Sequence, residues 1–195
     1  MRKVLGQKFF NRDTVTVAKS LLGKFLVRKV SKSIVVPRRY SGRFRGSGHE
    51  IALMITEVEV YDGFTDKASH AARGKTARNS IMFGPAGHWY VYFTYGMHWM
   101  LNIVTRERDY PAAVLIRAAS ALDSFGEPKG VIGGPAKLTK FLKINKKFNG
   151  LAASEKSGLW VEDGGMIVKR IKKGSRVGVS YAGQYWAKRK WRFWI

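Results

Sequence analysis

The residues that can do chemistry crowd into one stretch of this 195-residue chain, residues 57–102. Glu57, Glu59, Asp62 and Asp66 fall there, in a protein with only 13 acids against 36 lysines and arginines. So do His70, His88 and His98, three of the four histidines, and Tyr61, Tyr90, Tyr92 and Tyr95. A carboxylate beside a tyrosine-lined pocket can serve as a general base toward water. Glu57 and Glu59 stand two apart, so on a strand both face one side, and their repulsion can raise one pKa. Glu57 reads as the partner of an arginine; Glu59 stays open between that structural role and catalysis. Arg117 ends the apolar run Val114-Leu115-Ile116. A charge in that position needs a carboxylate or a ligand. It can pair with Glu59 and help hold a water, or stand as an ordinary exposed strand-end arginine. The tyrosines and His70 can stack on a planar base. Tyr95 precedes Gly96 at a break in the strand pattern, where a bulky tip side chain can wedge into a duplex.

The elements that must position these residues follow from spacing. Asp13 or Thr14 caps a helix to Leu22, with Val15, Ala18, Leu21 and Leu22 on one face and Gly23 at its end. Residues 24–30 read as a strand. Residues 31–49 mix Ser, Gly and Arg and read as a mobile basic insertion. Residues 51–61 alternate as a strand whose one face carries Ile51, Leu53, Ile55, Glu57, Glu59 and Tyr61. That face turns from apolar to acidic, as if the strand left the core and ended at a pocket. Residues 88–94 form an aromatic strand with Tyr90 and Tyr92 opposite Trp89, Val91 and Phe93; an apolar segment over 97–104 and a strand over 112–118 follow. Pro135 opens a short basic helix to Leu142. Residues 160–161 and 166–171 read as a hairpin around Asp163-Gly164-Gly165, with closing strands at 176–180 and 191–195. The sum is an α+β fold on a mostly antiparallel sheet.

Composition narrows the class. The formal charge is +23, and residues 14–49 and 164–195 each hold nine basic residues and no acid. Such a surface attracts polyanions, nucleic acid first among them. The 45% hydrophobic content is that of a globular chain, and one domain covers this length. No cysteine is present, which excludes disulfides and thiolate metal sites and fits a reducing intracellular compartment. The histidine spacings match no helical zinc motif, so no metal site is expected. No apolar run is long enough to span a bilayer, no basic amphipathic helix points to a membrane surface, and no GxxxxGK[ST] loop points to nucleotide hydrolysis. A sugar hydrolase fits poorly, because Glu57 and Glu59 share one strand and the basic surface would have no role. A non-catalytic basic nucleic-acid-binding protein accounts for the charge and the aromatics but leaves the acidic cluster unexplained.

The stretch ITEVEVYDGFTDKASHAARGKTARNSIMFGPAGHWYVYFTYGMHWMLNIV resembles the alkyladenine (3-methyladenine) DNA glycosylase family. VLIRA, GPAKLTKFLKI, RVGVSYAG and the WRFWI ending continue the match in order from about Thr14 onward. It reads EVEVY where the family often has ETEAY, and Gly133 stands where Asn is common. The resemblance implies a single glycosylase domain over residues 1–195, around a curved, partly open barrel-like antiparallel sheet with surrounding helices. It implies a monofunctional enzyme of base excision repair that flips alkylated or deaminated purines out of duplex DNA and cuts the N-glycosidic bond with water. In that scheme Glu59 activates the water, held also by Arg117 and the backbone carbonyl of Val177. Tyr61, His70 and Tyr92 stack on the flipped base, and Asn102 at the pocket floor clashes with the 2-amino group of normal guanine. Tyr95 is the wedge, with Met97 beside it, and Lys137 is a further DNA contact. The implied partner is duplex DNA carrying damaged purines, bound by a monomer without cofactor. The implied location is the cytoplasm or nucleoid of a prokaryote, or the nucleus of a eukaryote.

Overall fold

The structure is a computed structural model that describes residues 3–30, 50–123 and 128–195. The basic stretch 31–49, expected as a mobile insertion, lies outside the described residues. A short strand β1 (Lys3–Val4) and a helical turn α1 (Gln7–Phe10) lead into α2 (Thr14–Leu21). Asp13 caps α2 as expected, accepting from the Thr16 amide at 2.8 Å, and Val17, Ala18 and Leu21 bury its inner face. Gly23 then turns the chain at φ 80°, where an added Cβ would lie 2.7 Å from the Val168 side chain.

The strands β2 (Phe25–Lys29), β3 (Glu50–Asp62), β4 (Trp89–Thr94), β5 (His98–Val104), β6 (Ala112–Leu122) and β7 (Pro128–Gly133) come next. They are followed by α3 (Pro135–Phe141), β8 (Leu159–Asp163), β9 (Lys172–Gly174), α4 (Gly183–Lys188) and β10 (Arg192–Trp194). The main path of the sheet runs β1-β8-β2-β3-β6-β5-β4. The two longest strands lie at its centre and each changes partner along its length. β3 pairs with β2 over its first half and with β10 near Val58, while β6 pairs with β5 and then β7. Every strand pairing among the described residues is antiparallel, and the changes of partner curl the sheet into a half-barrel. The fold is α+β, as the spacing predicted.

Three expectations need correction. The alternation of β3 does not run unbroken from Ile51 to Tyr61. The β3–β6 register shifts on either side of Glu57, leaving Thr56 and Arg117 out of the paired register. The inward face changes by one residue: Leu53, Ile55, Val58 and Val60 all enter the main core. Glu57, Glu59 and Tyr61 therefore point to the face opposite Leu53 and Ile55. A bulge does this because it adds a residue without adding a pair. Residues 166–171 form no strand, because β8 already has β1 on one side and β2 on the other. Residues 176–179 are likewise not a strand but a turn with Gly178 at φ 73°, organised around a buried arginine.

That arginine, Arg176, makes a two-pronged contact with Asp66, at 2.6 and 2.8 Å, and donates to the Val60 carbonyl at 2.8 Å. Both charged side chains are wholly buried. Removing one partner of such a pair strands the other charge. Asp66→Asn should lower unfolding free energy by about 3–5 kcal/mol in urea denaturation. Asp163→Asn, which breaks the surface pair with Lys24, should cost about 1 kcal/mol or less.

Candidate active site

Glu59 has no exposed side-chain surface. The strand shift aims its carboxylate at the face away from the core, where three separate segments supply donors. The Val177 N–H donates to Oε1 at 2.7 Å, the Tyr61 hydroxyl donates to Oε2 at 3.0 Å, and an Arg117 nitrogen lies 3.2 Å from Oε2. Burial raises the Glu59 pKa, and Arg117, the Val177 N–H and the Tyr61 hydroxyl oppose that rise without cancelling it. A buried carboxylate with a raised pKa is a better proton acceptor than a solvated one. Glu57 is held differently: Arg117 Nε donates to it at 2.9 Å and Arg192 lies at 3.3 Å. It is an ion-pair partner, and it orients Arg117 so that the other arm of the guanidinium meets Glu59.

Beside Glu59 lies a slot walled by Tyr61, His70, Tyr90, Tyr92, Asn102 and Tyr181. It measures roughly 340 Å³ counted with its open mouth, a size for one small planar group. β4 places Tyr90 and Tyr92 on the slot side and Trp89 and Val91 in the core, as their alternation predicted. His70 comes from a single 3-10 turn, His70–Arg73, capped by the Ser69 side chain. Its ring lies 4.5 Å from that of Tyr92, nearly perpendicular, and its Nδ1 lies 3.0 Å from the Tyr90 hydroxyl. Loss of solvent lowers the His70 pKa, helped by the Arg78 guanidinium, so the ring is neutral near pH 7. Burial pushes the Tyr90 hydroxyl up to about 12 and raises Tyr61 and Tyr92 as well. The direction of the His70 Nδ1–Tyr90 hydroxyl bond follows the imidazole tautomer, since the phenol can donate or accept. Asn102 is buried opposite Tyr90 and donates to the Tyr90 carbonyl at 3.1 Å.

A broad groove runs over the slot. Tyr95, Arg78, Arg117, Ala136 and Val177 are among its walls. Tyr95 stands at the tip of the β4–β5 hairpin with φ 52°, followed by Gly96 at φ 64°, the paired positive dihedrals of a tight hairpin turn. It is 79% exposed, so packing among the described residues does not account for a tyrosine there. Met97 is exposed beside it. Lys137 is exposed on α3, one residue past Ala136 of the groove wall.

Thus Glu59, Arg117 and Val177 come together, as do Tyr61, His70, Tyr92 and Asn102. Val177 meets Glu59 through its N–H; the role that the resemblance implies for its carbonyl is toward the water, not toward Glu59. Tyr90 was read as able to stack, on the face that it shares with Tyr92, but was given no place in the slot. Tyr181 and the Arg176–Asp66 pair carry no local signal, since their partners lie 113 and 110 residues away.

These features define a pocket for one planar ring beside a proton acceptor, on a strongly basic protein. The chain belongs to the methylpurine-DNA glycosylase family, whose model matches residues 43–195. It is 43% identical to an inferred 3-methyladenine DNA glycosylase of Methanocella arvoryzae, over 98% of this chain and 92% of that one. A protein of the same name from Borreliella burgdorferi is 38% identical over 96% of this chain and 93% of its own. One from Streptomyces avermitilis is 37% identical over the whole of this chain and 88% of its own. The chain is a DNA glycosylase, a hydrolase of N-glycosyl bonds. No helix among the described residues is long and apolar enough to cross a membrane.

Arg78 disfavours the imidazolium form of His70. Arg78→Ala should therefore raise the His70 pKa, seen by NMR titration of the ring protons. An unchanged or lowered value would contradict the arrangement.

Proposed function

We propose that this protein is a monofunctional glycosylase of base excision repair that removes alkylated or deaminated purines from duplex DNA. The observation that carries the reading is Glu59: a wholly buried carboxylate held by three donors, of which Tyr61 also walls the aromatic slot and Arg117 and Val177 wall the groove. The damaged nucleotide turns out of the duplex, and its base enters the slot between Tyr61, His70 and Tyr92. Alkylated purines are cationic or weakly stacked, so they leave the helix at lower cost than intact bases. The tyrosine faces favour a cationic ring, and a neutral His70 does not repel it. Tyr95 fills the gap in the stack with Met97 beside it, and Lys137 contacts the backbone. Asn102 rejects normal guanine by contact with its 2-amino group.

Hydrolysis needs one water. Glu59 takes its proton as its oxygen bonds to C1′ of the sugar, the N-glycosidic bond breaks, and the base leaves with the bonding electrons. Arg117 and the Val177 carbonyl hold the water in line. Tyr61, Arg117 and the Val177 amide close over the carboxylate, so water reaches it only where one of the three yields. The scheme requires no lysine Schiff base, metal or organic cofactor, and a monomer is sufficient for it. The names of the relatives supply 3-methyladenine as the first substrate to test.

The direct test is release of free base from duplexes carrying 3-methyladenine, hypoxanthine or ethenoadenine, followed by strand scission at the abasic site. Glu59→Gln should lower turnover by about 10²–10⁴-fold while affinity for damaged duplex persists; wild-type turnover would remove Glu59 from the role of base. Glu59 acts ionised and its pKa is raised. Single-turnover rate should therefore fall on acidification from above the ordinary carboxylate range, and a rate flat through that range would contradict the assignment. Tyr95→Ala should leave unfolding free energy within about 0.5 kcal/mol of wild type, since the ring is exposed, yet weaken binding to damaged duplex.

A further inference from the structure

Three concavities meet at one side chain. The slot, the broad groove and a second groove on the outer surface all have Tyr181 as a wall. The second groove is bordered by Lys67, Ser69, His70, Ala72 and Arg73 and is roughly 950 Å³, against roughly 340 Å³ for the slot, both counted with their open mouths. Tyr181 thus divides a small aromatic slot from a larger space beyond it. His70 also borders both, but that ring is tied to Tyr90 and packed on Tyr92. Tyr181 is 70% exposed, so core packing does not hold it. Among the described residues, its hydroxyl makes one hydrogen bond, donating to the Ala68 carbonyl at 3.0 Å.

The backbone on both sides of that bond is fixed. The Ala68 N–H donates to Asp66, which Arg176 clamps. Val179 and Ala182, flanking Tyr181, pack against Ala68 in a small buried cluster. Gly178 and Gly183 bracket the segment at φ 73° and 80°, with nothing near either that an added Cβ would meet. Their backbone conformation, not close packing, requires glycine there. The Tyr181 ring is therefore a partition on a rigid frame, latched at one point.

We propose that Tyr181 sets the upper size limit on the bases this glycosylase accepts. Its ring closes the side of the slot that faces the second groove, and a purine whose N-alkyl group is bulkier than methyl needs the space the ring occupies. The inference rests on the reading of the slot as the base site. It makes Tyr181 a specificity-determining residue that takes no part in the proton transfer.

The test uses duplex DNA alkylated separately with dimethyl sulfate, diethyl sulfate or a benzylating agent. Released N-alkylpurines are quantified by mass spectrometry under single-turnover conditions. Wild type should release methylpurines fastest and benzylpurines slowest. Tyr181→Ala should raise the benzyl-to-methyl ratio of rates by about tenfold or more, the effect of enlarging a pocket by a side chain. Tyr181→Phe keeps the ring and loses the latch, and should raise the ratio by about threefold, the worth of one net hydrogen bond. A ratio that stays at the wild-type value in Tyr181→Ala, with methylpurines still released, overturns the proposal. If Tyr181→Ala does not fold, by circular dichroism, an unchanged ratio in Tyr181→Phe overturns it instead. Release of no alkylpurine of any size by wild type sinks the proposed function and this inference together. An unchanged ratio with normal release of methylpurines sinks this inference alone.

Discussion

Burying the Glu59 carboxylate is the constraint on which the rest of the site depends. An ionisable group without solvent contact is tolerated only where donors surround it. No single strand can present those donors, because neighbouring side chains on a strand point to opposite faces. Here β3 contributes Tyr61, β6 contributes Arg117, and the turn at 176–179 contributes the Val177 N–H. The irregular pairing around Glu57 makes this possible: it turns Glu57, Glu59 and Tyr61 away from the core that Leu53 and Ile55 face. Without that shift the two acids would point into the apolar interior.

The turn that brings Val177 is itself held by a second buried charge. Arg176 reaches Asp66, the Val60 carbonyl and the Trp186 carbonyl, and lies 4.9 Å over the Tyr61 ring and 5.2 Å over that of Trp191. Its Nε is buried without a partner among the described residues, so geometry rather than full satisfaction of the guanidinium decides its place. The arrangement couples three parts of the site. Asp66 organises the turn that carries Ala68 and leads to His70, Val60 sits between Glu59 and Tyr61, and Val177 follows Arg176 directly. A pair of this kind is weak as a source of net stability and strong as a constraint on where segments sit.

The slot and the groove serve opposite physical needs. The slot withdraws tyrosines and an imidazole from water, which keeps them uncharged and their faces available to a planar ring. The groove keeps Arg78, which donates to the Phe93 carbonyl at 2.9 Å, and the exposed tip of Tyr95 at its solvent-facing edge. A basic surface raises the encounter rate with any polyanion. The slot leaves only the space that Tyr61, Tyr92 and His70 bound.

Much of this was legible in the chain before any coordinates. The Asp13 cap, the β4 alternation that separates Tyr90 and Tyr92 from Trp89 and Val91, the hairpin break at Tyr95-Gly96 and the Pro135 helix start are local signals. Backbone geometry acts over a few residues, so such signals survive in sequence. The charge balance and the motif around Glu59 pointed to nucleic acid and to a carboxylate. The tertiary structure decided which face Glu59 takes, because a register shift depends on the partner strand as well as on β3. It also decided that residues 166–171 and 176–180 are not strands: β8 had both edges filled, and the Arg176–Asp66 pair outweighed the alternation of residues 176–180. Tyr181 belongs with these, since its role as a wall depends on an Ala68 carbonyl 113 residues away. The sequence by itself determined which groups are available for chemistry and the elements that carry them. The structure alone decided which of those groups meet, because contacts between distant segments are set by how the whole sheet curls.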